Sequence, residues 1–458
     1  MPIDAGLGLL LGLTIVFVIF ATAVARMHPF LVLLAASYAV ALAAGLPAVT
    51  AVTTITQAFG ATLQSIGIVI AAGAIIGTCL ERGGGARRMA GTITRWSLRL
   101  RAAPAASMSV TGAVVSVPVF CDAGFIVLAP LCRALAVASR ASMATFAVTL
   151  SLGLYTTHVL VPPTPGPFAA AGQLGADVGL VILLGLIVTV PVLTTTYVFA
   201  SWMGGRIFID PARAAGPPAP LDDGTPDAEP DQDQQPSTWA AFSPVVLPVA
   251  LIACRSLMQS PGTPFGAGAL PIVLGVLGEP NTALLIGAAL ALVLSGVPRA
   301  RQTAWVTAAL RGAGPIVLIT GAGGALGGVL RAAAGSPDAA SLASAPGSAV
   351  MGLVLAWVIA ATFKTALGSS TVAMITTASL VAPTLAGAGL GAGAGPALAT
   401  LAIGAGSMVV SHANDSYFWV VTQLSGMSVA EGYLLHTLGS AVAGASALLG
   451  VLALSLVL

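Results

Sequence analysis

Ser151-Leu152-Gly153-Leu154-Tyr155-Thr156-Thr157-His158 runs into Val161-Pro162-Pro163-Thr164-Pro165-Gly166-Pro167, and Gly406-Ser407-Met408-Val409-Val410-Ser411-His412 runs into Ala413-Asn414-Asp415-Ser416. Each is an apolar helical stretch that carries a histidine and then meets helix-breaking residues. Proline removes a backbone donor and clashes with the preceding turn; Asn and Asp favour caps and turns. The two stretches read as one unit written twice. Ala129-Pro130 and Ala382-Pro383 recur at nearly the same offset, as do Gly77 and Gly327. Apolar helices interrupted at matching places in two halves of a chain point to the binding site of a secondary transporter.

Composition puts these helices in a bilayer. Of 458 residues, 57% are hydrophobic and 7% charged, whereas soluble domains carry about 25% charged residues. Apolar runs of about 20 residues, each long enough to cross a bilayer, recur near 5–25, 29–49, 60–80, 180–203, 243–259, 280–297, 313–333 and 433–457. The predicted class is an all-α polytopic membrane protein; the runs do not alternate as barrel strands do. The first run ends in Ala23-Val24-Ala25, like a signal-peptidase site, but contains Asp4 and no Lys or Arg before it; it reads as a retained helix. A net charge of +2 gives no nucleic-acid footprint. Cys79, Cys121, Cys132 and Cys254 show no metal-ligand spacing and read as buried small residues. Gly321-Ala322-Gly323-Gly324 lies within a span and lacks the Lys of a phosphate loop, so it reads as tight helix packing. With no nucleophile elbow, metal cluster or nucleotide fingerprint, the sequence predicts neither an enzyme nor a primary pump, and no cofactor.

Two regions, 104–138 and 346–390, are too long for one helix and are interrupted by Gly or Asp. Each reads as a re-entrant hairpin, backbone that membranes tolerate only inside protein or a watery cavity. Each is followed by a long interrupted helix, 141–175 and 396–428. With the N-terminus outside and the hairpins returning to their own side, Arg26, Arg82, Arg87, Arg88, Arg95, Arg99, Arg101, Arg133, Arg140, Arg206, Arg213, Arg299, Arg301 and Arg311 all fall inside, only Arg255, Arg331 and Lys364 remain outside or in the membrane, and Asp4, Asp177, Glu279 and Asp338 fall outside. That obeys the positive-inside rule and predicts two inverted-topology repeats, each with a re-entrant hairpin and a broken helix. The division is 1–103 scaffold helices of the first repeat, 104–178 its transport hairpin and broken helix, and 179–209 its last helix. A linker follows at 210–240, then 241–345 scaffold helices of the second repeat, 346–430 its hairpin and broken helix, and 431–458 its last helix. The linker carries Asp222, Asp223, Asp227, Glu229, Asp231 and Asp233 among prolines and reads as solvated chain. Arg82 to Arg101, with Trp96, reads as an amphipathic helix lying beside anionic lipid.

Ionisable residues at membrane depth are costly, about 2.5–3.5 kcal/mol each on insertion scales. Asp122, His158, Lys364, His412 and Asp415 all fall in the duplicated regions. In Phe120-Cys121-Asp122-Ala123-Gly124-Phe125 the small residues suit a hairpin tip; Asp122 carries a proton or touches substrate, or caps the following helix. In Lys364-Thr365-Ala366-Leu367-Gly368-Ser369-Ser370-Thr371 the hydroxyls and free N–H groups at a helix start suit an anion; alternatively Lys364 snorkels outward and the hydroxyls pack between helices. Thr164 and Asn414, with freed carbonyls, can face substrate. His158, His412 and Asp415 are candidate proton carriers, or hydrogen-bonded packing residues. His28 and His436 lie near span ends and carry no special signal.

At these motifs, together with Pro162-Pro163-Thr164-Pro165-Gly166-Pro167, Ala366-Leu367-Gly368-Ser369-Ser370-Thr371-Val372-Ala373 and Ser411-His412-Ala413-Asn414-Asp415, the chain resembles the gluconate permease family of gluconate:proton symporters, within the ion transporter superfamily. The resemblance covers nearly the full length. It implies proton-coupled import of a small hydroxy or sugar acid, or a related carboxylate, by alternating access in a bacterial inner membrane. It also implies a homodimer and a moving unit made of 104–175 and 346–428. The chain departs where gluconate permeases often carry His at Thr164, Glu at Asp122 and Arg at Lys364. Membrane lipid and a small carboxylate are the expected partners, with a periplasmic N-terminus. Sodium coupling remains the alternative, since hydroxyls and carbonyls at unwound helices also bind Na⁺, as does an uncoupled channel or exporter of organic anions.

Overall fold

The computed structural model describes residues 10, 12–18, 20–99, 103–211, 236–259, 269–334 and 348–458. The acidic linker residues Asp222 to Asp233, together with Asp4, Arg101, Arg213 and Asp338, lie outside the described residues. Among the described residues all regular structure is helical. Seven helices are long and apolar enough to cross a membrane, or nine if each of two bent pairs is one span.

After an apolar helix at Gly12–Thr22 come α1 (Pro29–Ala43), α2 (Ala48–Arg82), α3 (Gly85–Arg99), α4 (Pro104–Val115), α5 (Cys121–Ala138), α6 (Met143–Leu160), α7 (Pro165–Leu174) and α8 (Val178–Gly204). The second half contains α9 (Thr238–Gln259), α10 (Ala269–Leu277), α11 (Pro280–Leu294), α12 (Arg299–Ala334), α13 (Ala349–Leu367), α14 (Ser370–Val381), α15 (Gly395–Ser407) and α16 (Ser416–Leu424). It ends in α17 (Val429–Ser455), which contains a π-helical turn at Tyr433–Thr437.

The expected hairpin and broken-helix regions form as helix pairs with their breaks in the predicted places. Other spans differ. The run expected at 29–49 stops at Ala43, because Gly45 turns left-handed (φ 74°) and Pro47 caps the next helix. That next helix spans 35 residues, not the expected 60–80, and bends by 42° between Ser65 and Gly67. The run expected at 313–333 starts a full 14 residues earlier, giving 36 residues in α12. The short helix α10 was not foreseen; it meets α11 at 66°.

α2 and α12 pack side by side. The approach needs glycine: a Cβ on Gly324 would collide with Thr62 Oγ1, one on Gly328 with Ala58, and one on Gly321 would sit 2.7 Å from the Phe59 ring. Small residues let membrane helices approach closely where burial of apolar surface gives no drive. The Gly-rich run is therefore packing, as expected. α3 is amphipathic: Ala86, Met89, Ala90 and Thr94 are buried while Trp96 is 65% exposed. Cys79, Cys121 and Cys132 are buried as expected; Cys254 is instead exposed.

The core is built from the two broken helices. Every residue from Phe146 to Leu160 is buried, and so is every residue of α15. Both sequences are apolar on all sides, which is the mark of a helix wrapped by others. α4 and α14 have 12 residues each, or about 18 Å of helix. That is well short of a hydrocarbon core of about 30 Å, whereas their partners α5 and α13, at 18 and 19 residues, come close to spanning it. Charged helix ends also group. Gly83 at the end of α2 lies against Trp305 near the start of α12, which brings Arg82, Arg87 and Arg88 to the same end as Arg299 and Arg301. At the other end of the α8–α9 pair, Ser256 donates a short hydrogen bond to Asp177.

Gly324→Leu is expected to lower the thermal midpoint of the detergent-solubilised protein, with an overpacking cost of at least about 1–3 kcal/mol. Gly60→Ala on the same α2, where a Cβ meets nothing within 4 Å, is expected to leave the midpoint unchanged or raise it, since Ala is the better helix former by about 1 kcal/mol.

Candidate functional site

Both breaks and both helix-pair tips meet at one place. The first break is sealed from within: Thr164 Oγ1 donates to the carbonyls of His158 (2.7 Å) and Val161 (3.0 Å), and Pro165 starts α7. Proline at a first helical position costs nothing, because that N–H has no helical partner. The Pro162-Pro163 peptide is cis. The second break leans on its neighbours. Ser411 N–H donates to Ser440 Oγ (3.0 Å), and Thr437 Oγ1 donates to the Ser411 carbonyl (2.5 Å). These bonds hold Val410 at φ 57°, a strained region for a β-branched residue. His412 Nε2 lies 3.0 Å from the Thr365 carbonyl, to which Asn414 Nδ2 also donates (2.8 Å).

The tip between α13 and α14 turns at Gly368 (φ 74°), where a Cβ would strike the Asn414 carbonyl. Only glycine meets both the turn and the contact. Ser369 then caps α14, accepting from Val372 N–H at 3.4 Å. Ser370 Oγ lies 2.6 Å from the Tyr155 hydroxyl, which donates to the Ser407 carbonyl (3.2 Å). The tip between α4 and α5 reaches the other way: Ser416 Oγ donates to Asp122 Oδ2 at 3.1 Å.

Between them lies a cavity of about 240 Å³, lined among others by Asp122, Tyr155, His158, Ser369, Ser370, Thr371, Asp415 and Ser416. The size is below the about 300–1,000 Å³ of drug-sized pockets and suits a small metabolite. His158 is 6% exposed and its Nδ1 has no partner. A buried polar nitrogen facing a cavity without a partner is an unmet hydrogen-bonding demand.

Lys364 neither snorkels nor lines the cavity. It is fully buried one layer behind the wall, where Nζ donates to the Gly368 carbonyl (2.8 Å) and to Asp415 Oδ2 (2.5 Å). Asp415 also accepts from Ser411 Oγ (2.5 Å) and from Tyr417 N–H (3.0 Å), capping α16. A buried cation persists only when paired and hydrogen-bonded.

Thus Asp122, His158, Gly368, Ser369, Ser370, Thr371 and Asp415 come together around one cavity. Gly124 does not; it packs under Leu154, where a Cβ would come within 2.6 Å of a methyl. Thr164, His412 and Asn414 serve the break backbones instead. The sequence reading passed over His436. It is fully buried in the π-helical turn, with Nε2 3.2 Å from Ser411 Oγ and Nδ1 3.4 Å from Ser151 Oγ. It also passed over Tyr155, Ser416 and Tyr417, which carry no signal in an apolar run.

The sequence profile of the GntP family permeases matches residues 7–457. The chain is 33% identical to a gluconate permease of Pseudomonas aeruginosa, over 94% of each chain. It is 32% identical to an uncharacterised permease of Haemophilus influenzae, over 92% of this chain and 86% of that one. It is 29% identical to the D-serine transporter DsdX of Escherichia coli, over 97% of each. The fold resembles the Alcanivorax borkumensis YdaH transporter, with a TM-score of 0.64 at 16% identity, covering 94% of this chain and 99% of that one. The chain is thus a multi-pass membrane permease rather than an enzyme, and it belongs to the GntP permease family.

Proposed function

We propose that this permease carries a small hydroxy or sugar acid, gluconate-like in size and charge, into the cell in symport with protons. The observation that carries the reading is the cavity wall, where two carboxylates, a partnerless imidazole nitrogen and a row of hydroxyls surround space for a small molecule, with Lys364 just behind. The hydroxyls of Ser369, Ser370 and Thr371 and the free N–H groups opening α14 receive the carboxylate. Polar groups such as Asp122 and His158 Nδ1 meet substrate hydroxyls. Relatives that carry gluconate and D-serine, both small polar carboxylates, support the class.

Coupling follows from charge. With Asp415 ionised, the Lys364–Asp415 pair is neutral, and an incoming anion meets the repulsion of Asp122 with no net attraction from the pair. A proton on Asp415 removes one negative charge and unmasks the lysine, so the anion enters as the proton does. The buried charge is then the same before and after loading, which a low-dielectric site favours. The two halves act as inverted repeats; the paired short and long arms around each tip, and the breaks facing each other, support this. They expose the cavity alternately to each side of the bacterial inner membrane. The arginine-bearing helix ends grouped at one face support a cytoplasmic position for that face and a periplasmic N-terminus.

In proteoliposomes, inward acid gradients with the membrane potential clamped are expected to drive accumulation of labelled gluconate. Accumulation should be indifferent to Na⁺ replacement at fixed pH. Uptake unchanged after the gradient is collapsed overturns proton coupling, and Na⁺-dependent uptake replaces it with sodium coupling. Asp122→Asn removes the repelling charge but leaves the proton site on Asp415, so it is expected to keep proton-driven accumulation; loss of concentrative uptake with exchange kept moves the coupling proton to Asp122.

Lys364→Met leaves Asp415 buried without its cation and is expected to cost about 3–5 kcal/mol of stability, read as a lower thermal midpoint. Adding Asp415→Asn is expected to recover most of the midpoint but not proton-driven accumulation. A double variant as unstable as the single one shows that the pair is not what holds Lys364.

A further inference from the structure

We infer that His436 is a positioning residue for the coupling carboxylate, acting on Asp415 through Ser411. The inference rests on the proton-symport reading above and adds a residue outside the cavity wall. Ser411 has one hydroxyl hydrogen, and its 2.5 Å contact with Asp415 Oδ2 commits that hydrogen to the carboxylate. Its 3.2 Å contact with His436 Nε2 is then a bond in which the imidazole N–H donates and Ser411 Oγ accepts. The ring is therefore protonated on Nε2, and a buried ring with no carboxylate against it favours the neutral form, bare on Nδ1. Nδ1 lies 3.4 Å from Ser151 Oγ, whose hydroxyl donates to the Val148 carbonyl at 3.1 Å.

The result is a one-way chain of donors. His436 points at Ser411 and Ser411 at Asp415, where Lys364 donates from the other side. Hydrogen bonds aligned in series polarise one another, and bonds donated to a carboxylate favour its ionised form. The other groups facing His436 are aromatic: Tyr155 on α6, stacked at 6.5 Å, and Tyr417 and Phe418 on α16, at 5.3 and 6.3 Å. Tyr155 and Tyr417 are the titratable ones, and their hydroxyls donate to the carbonyls of Ser407 and Ser151. Asp415 and Lys364 lie one hydroxyl away. His436 thus has a fixed, neutral surrounding. Its place in a π-helical turn is what aims it: an extra residue in the turn shifts a side chain off the usual register, and such turns recur at functional sites. The same turn supplies Thr437, which holds the Ser411 carbonyl, so α17 fixes both the backbone and the hydroxyl of the residue that orients Asp415.

The test measures gluconate uptake against pH in proteoliposomes for the wild type, His436→Leu, His436→Gln and Ser411→Ala, each checked for a monodisperse peak and a thermal midpoint. Leu removes the donor to Ser411; Gln keeps an N–H donor and an acceptor but cannot carry a proton. The pH of half-maximal uptake is expected to move by about one unit in His436→Leu and in Ser411→Ala, because each breaks the chain of donors that ends on the Asp415 carboxylate. His436→Gln is expected to stay close to the wild type. A Gln variant as impaired as Leu, or a Leu variant with the wild-type profile, overturns the inference.

A second measurement needs neither substrate nor gradient and so stands if the symport reading fails. In lipid, ¹⁵N-histidine spectra of the wild type, with the His436 signals identified by their loss in His436→Gln, are expected to show the neutral Nε2–H tautomer across the pH range of uptake. A doubly protonated ring at the pH of fast uptake overturns positioning and makes His436 the proton carrier.

Discussion

A single buried ion pair organises this permease. Lys364 is the only lysine in the chain, and it lies fully buried with its ammonium held by Asp415 and the Gly368 carbonyl. Both partners are products of broken helices. The Gly368 carbonyl faces inward because α13 ends there in a left-handed turn, and the Asp415 carboxylate because α16 begins there. Had either helix continued, its carbonyls would be spent on the next turn and the cation would have no cage. The pair also ties the α13–α14 tip to the second break, so the polar site and the interruption of the helices are one constraint.

The two breaks meet that constraint differently. A membrane leaves no water to satisfy a freed backbone group. At the first break Thr164 returns its hydroxyl to the two nearest freed carbonyls, and the segment needs little from outside. At the second, Ser440 and Thr437 on α17 and the Thr365 carbonyl on α13 supply the partners. The first break is thus a sealed kink carrying His158 toward the cavity. The second is a junction at which three helices converge on Asp415, and a change in its charge is felt by all three.

The architecture was legible because a membrane enforces rules that are local in sequence. Length of apolar run, placement of Arg and Pro, and Gly-Ser-Ser-Thr or Asn-Asp before a new helix each report on a nearby backbone event. The extent of α2 and α12 was less legible, since Thr and Gln in 50–66 and the Arg-rich start at 299–311 lower the apolar signal while leaving the helix intact. Within the site, the motif residues were found but their duties were mixed. Thr164, His412 and Asn414 stand beside Asp415 and His158 in the same motifs, and nothing in the pattern separates a group that seals a break from one that faces the cavity. Lys364 had its alternatives framed by whether it sees substrate or headgroup; its real partner sits on another helix. His436 had no signal, because its register is set by a π-turn and its partners come from α6 and the second break.

The fold alone cannot account for selectivity. YdaH shares the architecture at 16% identity, and a scaffold does not by itself dictate the chemistry built on it. What distinguishes the site is the ion pair buried behind it. Lys364 and Asp415 cancel when the cavity is empty. If an anion entered alone, the site would gain an uncompensated negative charge where the Born cost runs to several kcal/mol even after relaxation. If a proton entered alone, it would leave Lys364 unpaired at similar cost. On the proposed proton coupling, only joint entry restores balance, and the low dielectric around Lys364 disfavours each half-loaded state. On this view the conformational change is free to be a simple exchange of exposure, because the permission to make it is already written in the net charge behind the cavity wall.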